Sequence, residues 1–371
     1  MCEYFCIFAR LKITTMYKRV LILLTAVAAF ACTRVDAQDA LFSQFYANPL
    51  YLNPAMAGAN VCPRVALNWR DQWPNMAGNY MTTTASFDEH FDKIYGGVGI
   101  LLLHDRAGAG SGYLNTSTIS PMYSLKIKIA KKFNIRMAVQ VDFQDKYLNW
   151  TDLTFPDMID PRYGFVYQTN ENQPGNLHRW TAGFSAGFLG YTPHLYFGFA
   201  AHHFVSFSMD GQGPSFLSNS YADPYDVLPV KWTAHVGAHF DLKRKSKIET
   251  NFGDISISPN FIYQHQRYFN YFNFGLYMNF YPFTVGAWYR LSPPYTIKDE
   301  ANNVLGKINN SDAFVLTAGL EYKWIKFGYS YDITLGPLKS ETGGAHELSL
   351  QLLLPCPEKH KAIKDLKCPS F

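Results

Sequence analysis

The sequence predicts an all-β chain, a transmembrane antiparallel β-barrel of about fourteen strands with an N-terminal signal peptide. The first observation behind this is composition: 371 residues, 16% aromatic, 17% charged and 48% hydrophobic, where an ordinary soluble domain carries roughly 25% charge. The second is an alternation of apolar and polar residues sustained over about ten residues at a time, the length at which a tilted strand crosses a bilayer, whereas soluble strands run to about 5–6. The third is the parity of the connections, short on one side and long on the other. After residue 32 no apolar run approaches the ~20 residues of a spanning helix. Disorder is excluded by the aromatic content and low net charge. A large soluble β-sandwich shares the alternation, and segment length argues against it.

In chain order, the first element is an export signal. Lys18-Arg19 precede the apolar stretch Val20 to Cys32, and Val35-Asp36-Ala37 end on a small residue before Gln38. A basic n-region, an apolar h-region and a small-residue cut describe a signal peptide over 1–37. Met16 reads as the true start, with residues 1–15 an upstream mis-start. A short buried helix and lipidation at Cys32 are the alternatives, and Ala29-Phe30-Ala31 suits lipidation poorly. Removal of 1–37 lowers the formal charge from +4 to +1, which leaves no basic stripe for nucleic acid. Cys62, Cys356 and Cys368 remain, without Cys-x-x-Cys spacing for a metal. Cys356 and Cys368 are candidates for a disulfide across the tail in an oxidising compartment.

Residues 38–60 are expected to be a periplasmic N-terminal segment. Asn48-Pro49 and Asn53-Pro54 stand five residues apart, and each Pro restricts the residue before it to extended or turn geometry. Ala55, Ala57 and Gly58 permit close backbone approach. The expectation is an ordered, non-strand element at the periplasmic mouth or in the lumen, with Asn48, Pro49, Tyr51, Asn53 and Pro54 as candidate partner-binding residues.

The barrel is expected over 61–354, with strands near 62–72, 78–88, 94–104, 112–130, 132–144, 179–190, 194–206, 228–243, 253–266, 268–281, 282–291, 311–324, 325–334 and 345–354. In the fifth, Ile135, Met137, Val139, Val141 and Phe143 alternate with Asn134, Arg136, Ala138, Gln140 and Asp142. An even count closes a bacterial barrel with both termini in the periplasm. The turns at Lys131-Lys132, Gly190 to Pro193, Tyr281-Pro282 and Trp324 follow even strands, while the long connections 145–178, 207–227 and 292–310 follow odd ones, where extracellular loops belong. Two of these loops carry aromatic candidates for partner binding, Trp150, Phe155 and Tyr163 in the first, Phe216 and Tyr221 in the second. The same aromatics could instead pack over the barrel mouth. Arg70, Arg136, Asp142, Arg290 and Asp332 fall on polar strand faces and are candidates for a lumenal network pinning the register. The tail, 355–371, is expected in the periplasm.

Catalytic and metal readings find little support. His202 and His203, adjacent on a strand, are expected to point to opposite faces. His235 and His239 lie roughly 13 Å apart at strand rise, too far for one ion. His104-Asp105 and His346-Glu347 diverge in the same way, with no nucleophile motif in reach. Lys126, Lys128, Lys131 and Lys132 read as a solvated rim. No cofactor is expected.

The run from Phe42 to Gly58 resembles the start of the PorP/SprF family of Bacteroidetes outer-membrane proteins. Further matches are Arg70 with Gln72-Trp73, Phe87-Asp88, Gly97-Val98-Gly99 leading to His104-Asp105 and Gly108, Gly328 to Asp332, Gly344 to Leu350, and the closing Cys368-Pro369-Ser370-Phe371. The resemblance implies a non-enzymatic outer-membrane barrel of the type IX secretion and gliding machinery. Its implied partners are outer-membrane lipids, periplasmic lipoprotein or ring components, and a secreted adhesin-like surface protein with a C-terminal targeting domain. A porin or substrate-specific channel is the alternative that the same alternation supports.

Overall fold

The computed structural model describes residues 39–60, 62–76, 78–108, 114–160, 162–173, 175–209, 228–243, 255–267, 269–293, 295–298, 304–308, 313–335 and 339–356. The expected signal peptide, Phe216, Tyr221 and Cys368 lie outside these residues.

Alternation produces the wall. In β5 (Asn134–Leu148) Met137 and Val139 are 53% and 62% exposed, while Arg136 and Asp142 on the opposite face are 1% and 2% exposed. A soluble protein places these faces the other way round. Apolar outside and polar inside is stable only where lipid covers the outside.

Thirteen further strands repeat the arrangement: β1 (Arg64–Gln72), β2 (Tyr80–Phe91), β3 (Gly96–Ala107), β4 (Leu114–Lys128), β6 (His178–Tyr191), β7 (Leu195–Ser208), β8 (Lys231–Ala238, continued by Phe240–Lys243), β9 (Ile255–Gln266), β10 (Phe269–Phe280), β11 (Phe283–Leu291), β12 (Ala313–Tyr322), β13 (Ile325–Thr334) and β14 (Ala345–Leu353). Each pairs antiparallel with its neighbours in sequence, and β1 pairs with β14 from Arg64↔Leu353 to Gln72↔Ala345. The ring is closed, so every strand has a partner on both sides and no edge is left for unwanted pairing. The fourteen-strand, all-β expectation holds element by element.

The even count brings Arg64 and Leu353 to one end of the barrel, together with the tight turns Asp92–Tyr95, Ile129–Phe133 and Tyr281-Pro282. The connection 149–177 lies at the other end. It contains a short antiparallel pairing of Ile159–Asp160 with Gly164–Phe165.

At the short-turn end the structure corrects the expected disulfide. Cys356 bonds Cys62, with Cα atoms 4.6 Å apart. The β1–β14 register places residues 62 and 356 side by side just beyond the last paired residues, although 294 positions separate them in sequence. A second correction concerns His202 and His203. In β7 the register against β6 shifts between Phe184 and Ala186, so three residues, His202 to Phe204, stand opposite Ser185. His203 takes φ 56° in this bulge, which re-aims its side chain. Instead of facing apart, both histidines turn inward, His202 6% exposed and His203 within reach of lumenal carboxylates.

Candidate functional site

The lumen is occupied by the chain's own N-terminal segment. Of residues 42–59 every one except Tyr51 is buried, which resolves the two expected placements in favour of the lumen. The segment forms no strand. Pro49 opens a single helical turn, Pro49–Leu52, and Pro54 opens a 3₁₀ turn, Pro54–Met56, because a fixed φ and a missing N–H suit the first helical position. Asn53 caps the second turn by accepting from the Ala55 N–H at 2.9 Å.

The path runs from the long-loop end to the short-turn end. At the start, the Asp39 carboxylate lies 3.4 Å from His203 Nε2 and 3.7 Å from Lys231 Nζ, and its N–H donates to Gln266 at 3.0 Å. Lys231 also donates to the Tyr51 hydroxyl at 3.0 Å and sits 4.2 Å above that ring, a cation–π contact.

Four charged side chains then converge on Ser43. Arg70 pairs with Asp332 at 2.9 Å and with Glu347 at 3.1 Å, and Arg290 pairs with Asp332 at 3.2 Å. The Ser43 hydroxyl donates to Asp332 (2.6 Å) and accepts from Arg70 (2.9 Å) and Arg290 (2.7 Å). Glu347 accepts the backbone N–H groups of Ser43 and Gln44. Buried ions are tolerated only with such dense pairing and hydrogen bonding.

Mid-lumen contacts are mostly apolar, with two asparagine amides bonded to the wall. Phe45 and Tyr46 pack on Trp288, and Tyr46 also meets Tyr196 and Tyr277 edge to face. Leu52, Ala55 and Met56 join the same buried cluster with Leu189 and Ile262. Asn48 donates to Thr84 at 3.0 Å and Asn53 donates to the Phe188 carbonyl at 3.0 Å. The wall is hollowed to fit: a Cβ on Gly187 would stand 2.3 Å from Asn53 Oδ1.

At the short-turn end Arg136 donates to the carbonyls of Ala57 and Gly58 and to Ser124 Oγ. Asp88 accepts from the Gly58 N–H at 2.8 Å and pairs with Arg64 at 2.8 Å. Gly58 has φ +61°, and a Cβ on Gly97 would stand 2.6 Å from its Cα. Only a residue without a side chain allows two backbones this close.

The candidate residues thus divide. Asn48, Pro49, Asn53 and Pro54 are buried in the lumen and Tyr51 is half-buried there; the Asn48 and Asn53 amide N–H groups donate to the wall, and the Tyr51 hydroxyl accepts from Lys231 and donates to the Ala40 carbonyl. Arg70, Arg290 and Asp332 meet in the cage around Ser43. Arg136 lies at the other end, and Asp142 binds Ser120, Gln140 and Ser185, each at 2.6 Å. Ser43, Glu347, Asp88 and Arg64 complete these sites and escaped sequence reasoning, although Glu347 stands on the polar face of β14 beside Ser349 and Gln351. In the long loop Trp150 packs on Phe155 with tilted rings, centroids 5.0 Å apart, while Tyr163 is 70% exposed. Asp160 accepts from the N–H groups of Arg162 and Tyr163 and from the Tyr167 hydroxyl. These bonds, the Arg162 N–H first, hold its carboxyl below the usual range and raise the Tyr167 hydroxyl. Among the described residues no group of three or more His, Cys, Asp or Glu side chains is placed to hold a metal.

A family model for the type IX secretion system membrane protein PorP/SprF matches residues 34–352. The chain belongs to the PorP/SprF family. That match spans the lumenal segment and nearly the whole wall of this PorP/SprF protein. Among curated proteins, none matches. Solved structures similar to it include CdiB from Acinetobacter baumannii (9% identity, 78% of this chain and 60% of that one, TM-score 0.40), the CymD monoaromatic hydrocarbon channel (10%, 83% and 93%, 0.44) and the P. putida toluene transporter TodX (9%, 81% and 90%, 0.39). At these identities and scores nothing of what those proteins do is carried over.

Proposed function

We propose that this PorP/SprF protein is a non-enzymatic outer-membrane barrel that binds components of the type IX secretion and gliding machinery and anchors or assists the export of surface proteins. The observation that carries this reading over a porin is the occupied lumen. A channel needs a continuous aqueous path, and residues 42–59 fill the path with an aromatic cluster and backbone hydrogen bonds to the wall. With the lumen filled, the surfaces left for work are the two ends.

In this reading the short-turn end faces the periplasm and meets lipoprotein or ring components, and residues 39–60 run from the outward mouth down the lumen, unlike the periplasmic placement expected for 38–60. The long-loop end faces outward, where Trp150, Phe155 and Tyr163 form the contact for a secreted protein with a C-terminal targeting domain. Loops carried on a rigid scaffold are where such specificity resides. The test combines planar-bilayer recording of the purified protein with affinity purification from the native outer membrane. Low conductance together with co-purifying secretion components is expected. Large, stable conductance with no secretion component recovered sinks the reading in favour of a channel.

A further inference from the structure

The segment 39–60 pairs with no strand, so the wall holds it by side chains, as a receptor holds a peptide. The cage around Ser43 has two guanidinium and two carboxylate groups, neutral as a set and each 4% exposed or less. From the segment it takes one hydroxyl, two successive backbone N–H groups and, at the Glu347 carbonyl, the Gln44 side-chain amide, which Ser330 and Ser349 also bond. Two of its atoms, Arg70 Nε and Asp332 Oδ1, are buried without a hydrogen-bond partner. Since buried polar atoms are nearly always satisfied, the resident residues fill the cage incompletely. The two flanks of Ser43 also differ. Residues 45–59 are locked in the apolar core, whereas residues 39–41 are half-buried and held at the mouth by the Asp39 carboxylate and N–H and by the Ala40 carbonyl, which accepts from the Tyr51 hydroxyl.

We propose that the cage of Arg70, Arg290, Asp332 and Glu347 is a peptide-binding site with residues 39–44 as its resident ligand. An extended segment of a partner chain, bearing a hydroxyl side chain, enters from the long-loop mouth and takes their place. Residues 45–60 stay seated, so the exchange does not open the barrel. The inference goes beyond the secretion reading and needs no particular secretion partner. A tethered ligand acts at an effective concentration of about millimolar, so a free peptide meets an occupied site until the resident is weakened.

The test uses the full-length protein in detergent and a fluorescent synthetic peptide with the sequence of residues 39–44. Ser43→Ala in the protein removes the resident's hydroxyl and leaves the cage intact. The peptide is expected to bind this variant at least about tenfold more tightly than wild type, because the resident loses the three hydrogen bonds its hydroxyl makes to charged groups, one of which alone is worth about that factor, and a peptide with Ala in place of that Ser is expected to lose the gain. Asp39→Asn, which frees the mouth without touching the cage, is expected to speed peptide association. Equal binding by wild type and both variants, or by both peptides, overturns the proposal. Should Ser43→Ala fail to fold, hydrogen exchange on the wild type decides: the Ser43 and Gln44 amides are expected to exchange faster than that of Gly58, and equal protection overturns exchangeability. Neither readout depends on recovering secretion components, so this proposal and the secretion reading fail separately.

Discussion

The two ends of the barrel hold one segment by different physics. At the short-turn end the contact is with main chain: Arg136 takes two carbonyls, Asp88 takes an N–H, and Gly97 lets Gly58 come within backbone contact. The Cys62–Cys356 bond lies a few residues further on. At the long-loop end three charged groups converge on one hydroxyl while a fourth, Glu347, takes two backbone N–H groups, and among the described residues no wall glycine is carved for the backbone there. One end is therefore fixed by shape, which any added atom disrupts. The other is fixed by charge, which an isosteric neutral residue disrupts without adding an atom.

Gly97→Val tests the first half and carries the largest expected effect. Its Cβ would stand 2.4 Å from the Ala57 carbonyl oxygen and 2.6 Å from Gly58 Cα, both backbone atoms that have nowhere to move. The cost exceeds the about 1–3 kcal/mol of ordinary overpacking, so loss of the heat-modifiable folded band on cold SDS gels is expected. A fully folded Gly97→Val protein breaks the claim that shape fixes this end. Asp332→Asn tests the second half. It leaves Arg290 without its carboxylate, and removing one partner of a buried ion pair costs about 3–5 kcal/mol. A lower denaturant midpoint with a folded barrel is expected, and Arg290→Met added to it is expected to recover part of the loss. If the double variant is no better than the single, uncompensated charge is not what the cage manages.

The wall was legible in the sequence because a bilayer imposes length, period and closure on the strands together: β5 shows length and period, and the even count anticipates the β1–β14 pairing that closes the ring. The Asn-Pro pairs were legible as turns for the same local reason, since Pro dictates its neighbour's geometry wherever it sits. What stayed hidden depends on contacts distant in sequence. Cys62 meets Cys356 only once β1 pairs with β14, yet the even strand count already implied that these flanking cysteines share one end. The inward turn of both His202 and His203 depends on extra residues in β7, and alternation read strictly hides such a bulge. Glu347 carried the right signal, a carboxylate on a polar strand face, but its partner Ser43 lies 304 positions away.

Cys62→Ser asks whether the short-turn end needs its covalent tie once shape has fixed it. Loss of a disulfide typically costs about 2–4 kcal/mol, mainly through the unfolded chain. The expected result is a lower denaturant midpoint with unchanged hydrogen-exchange protection at Gly58. Loss of that protection would mean the bond, rather than the fit of Gly97 to Gly58, seats the segment.

The smallest expected effect lies farthest out on the long-loop end. Asp160 binds two backbone N–H groups and the Tyr167 hydroxyl while remaining solvent-facing, and its carboxyl is held low in the folded loop. A carboxyl whose folded value is depressed contributes its stability above the ordinary aspartate value of about 3.9 and loses it as pH falls through the lower folded value. Acidification is therefore expected to speed amide exchange at Arg162 and Tyr163, with the lumenal amides of Ser43 and Gly58 unaffected. Asp160→Asn is expected to remove the pH dependence at Arg162 and Tyr163. Should acidification instead loosen Ser43 in step with Arg162, the outer loop and the charged cage form one coupled unit, and the division between a shape-fixed and a charge-fixed end must extend beyond the lumen.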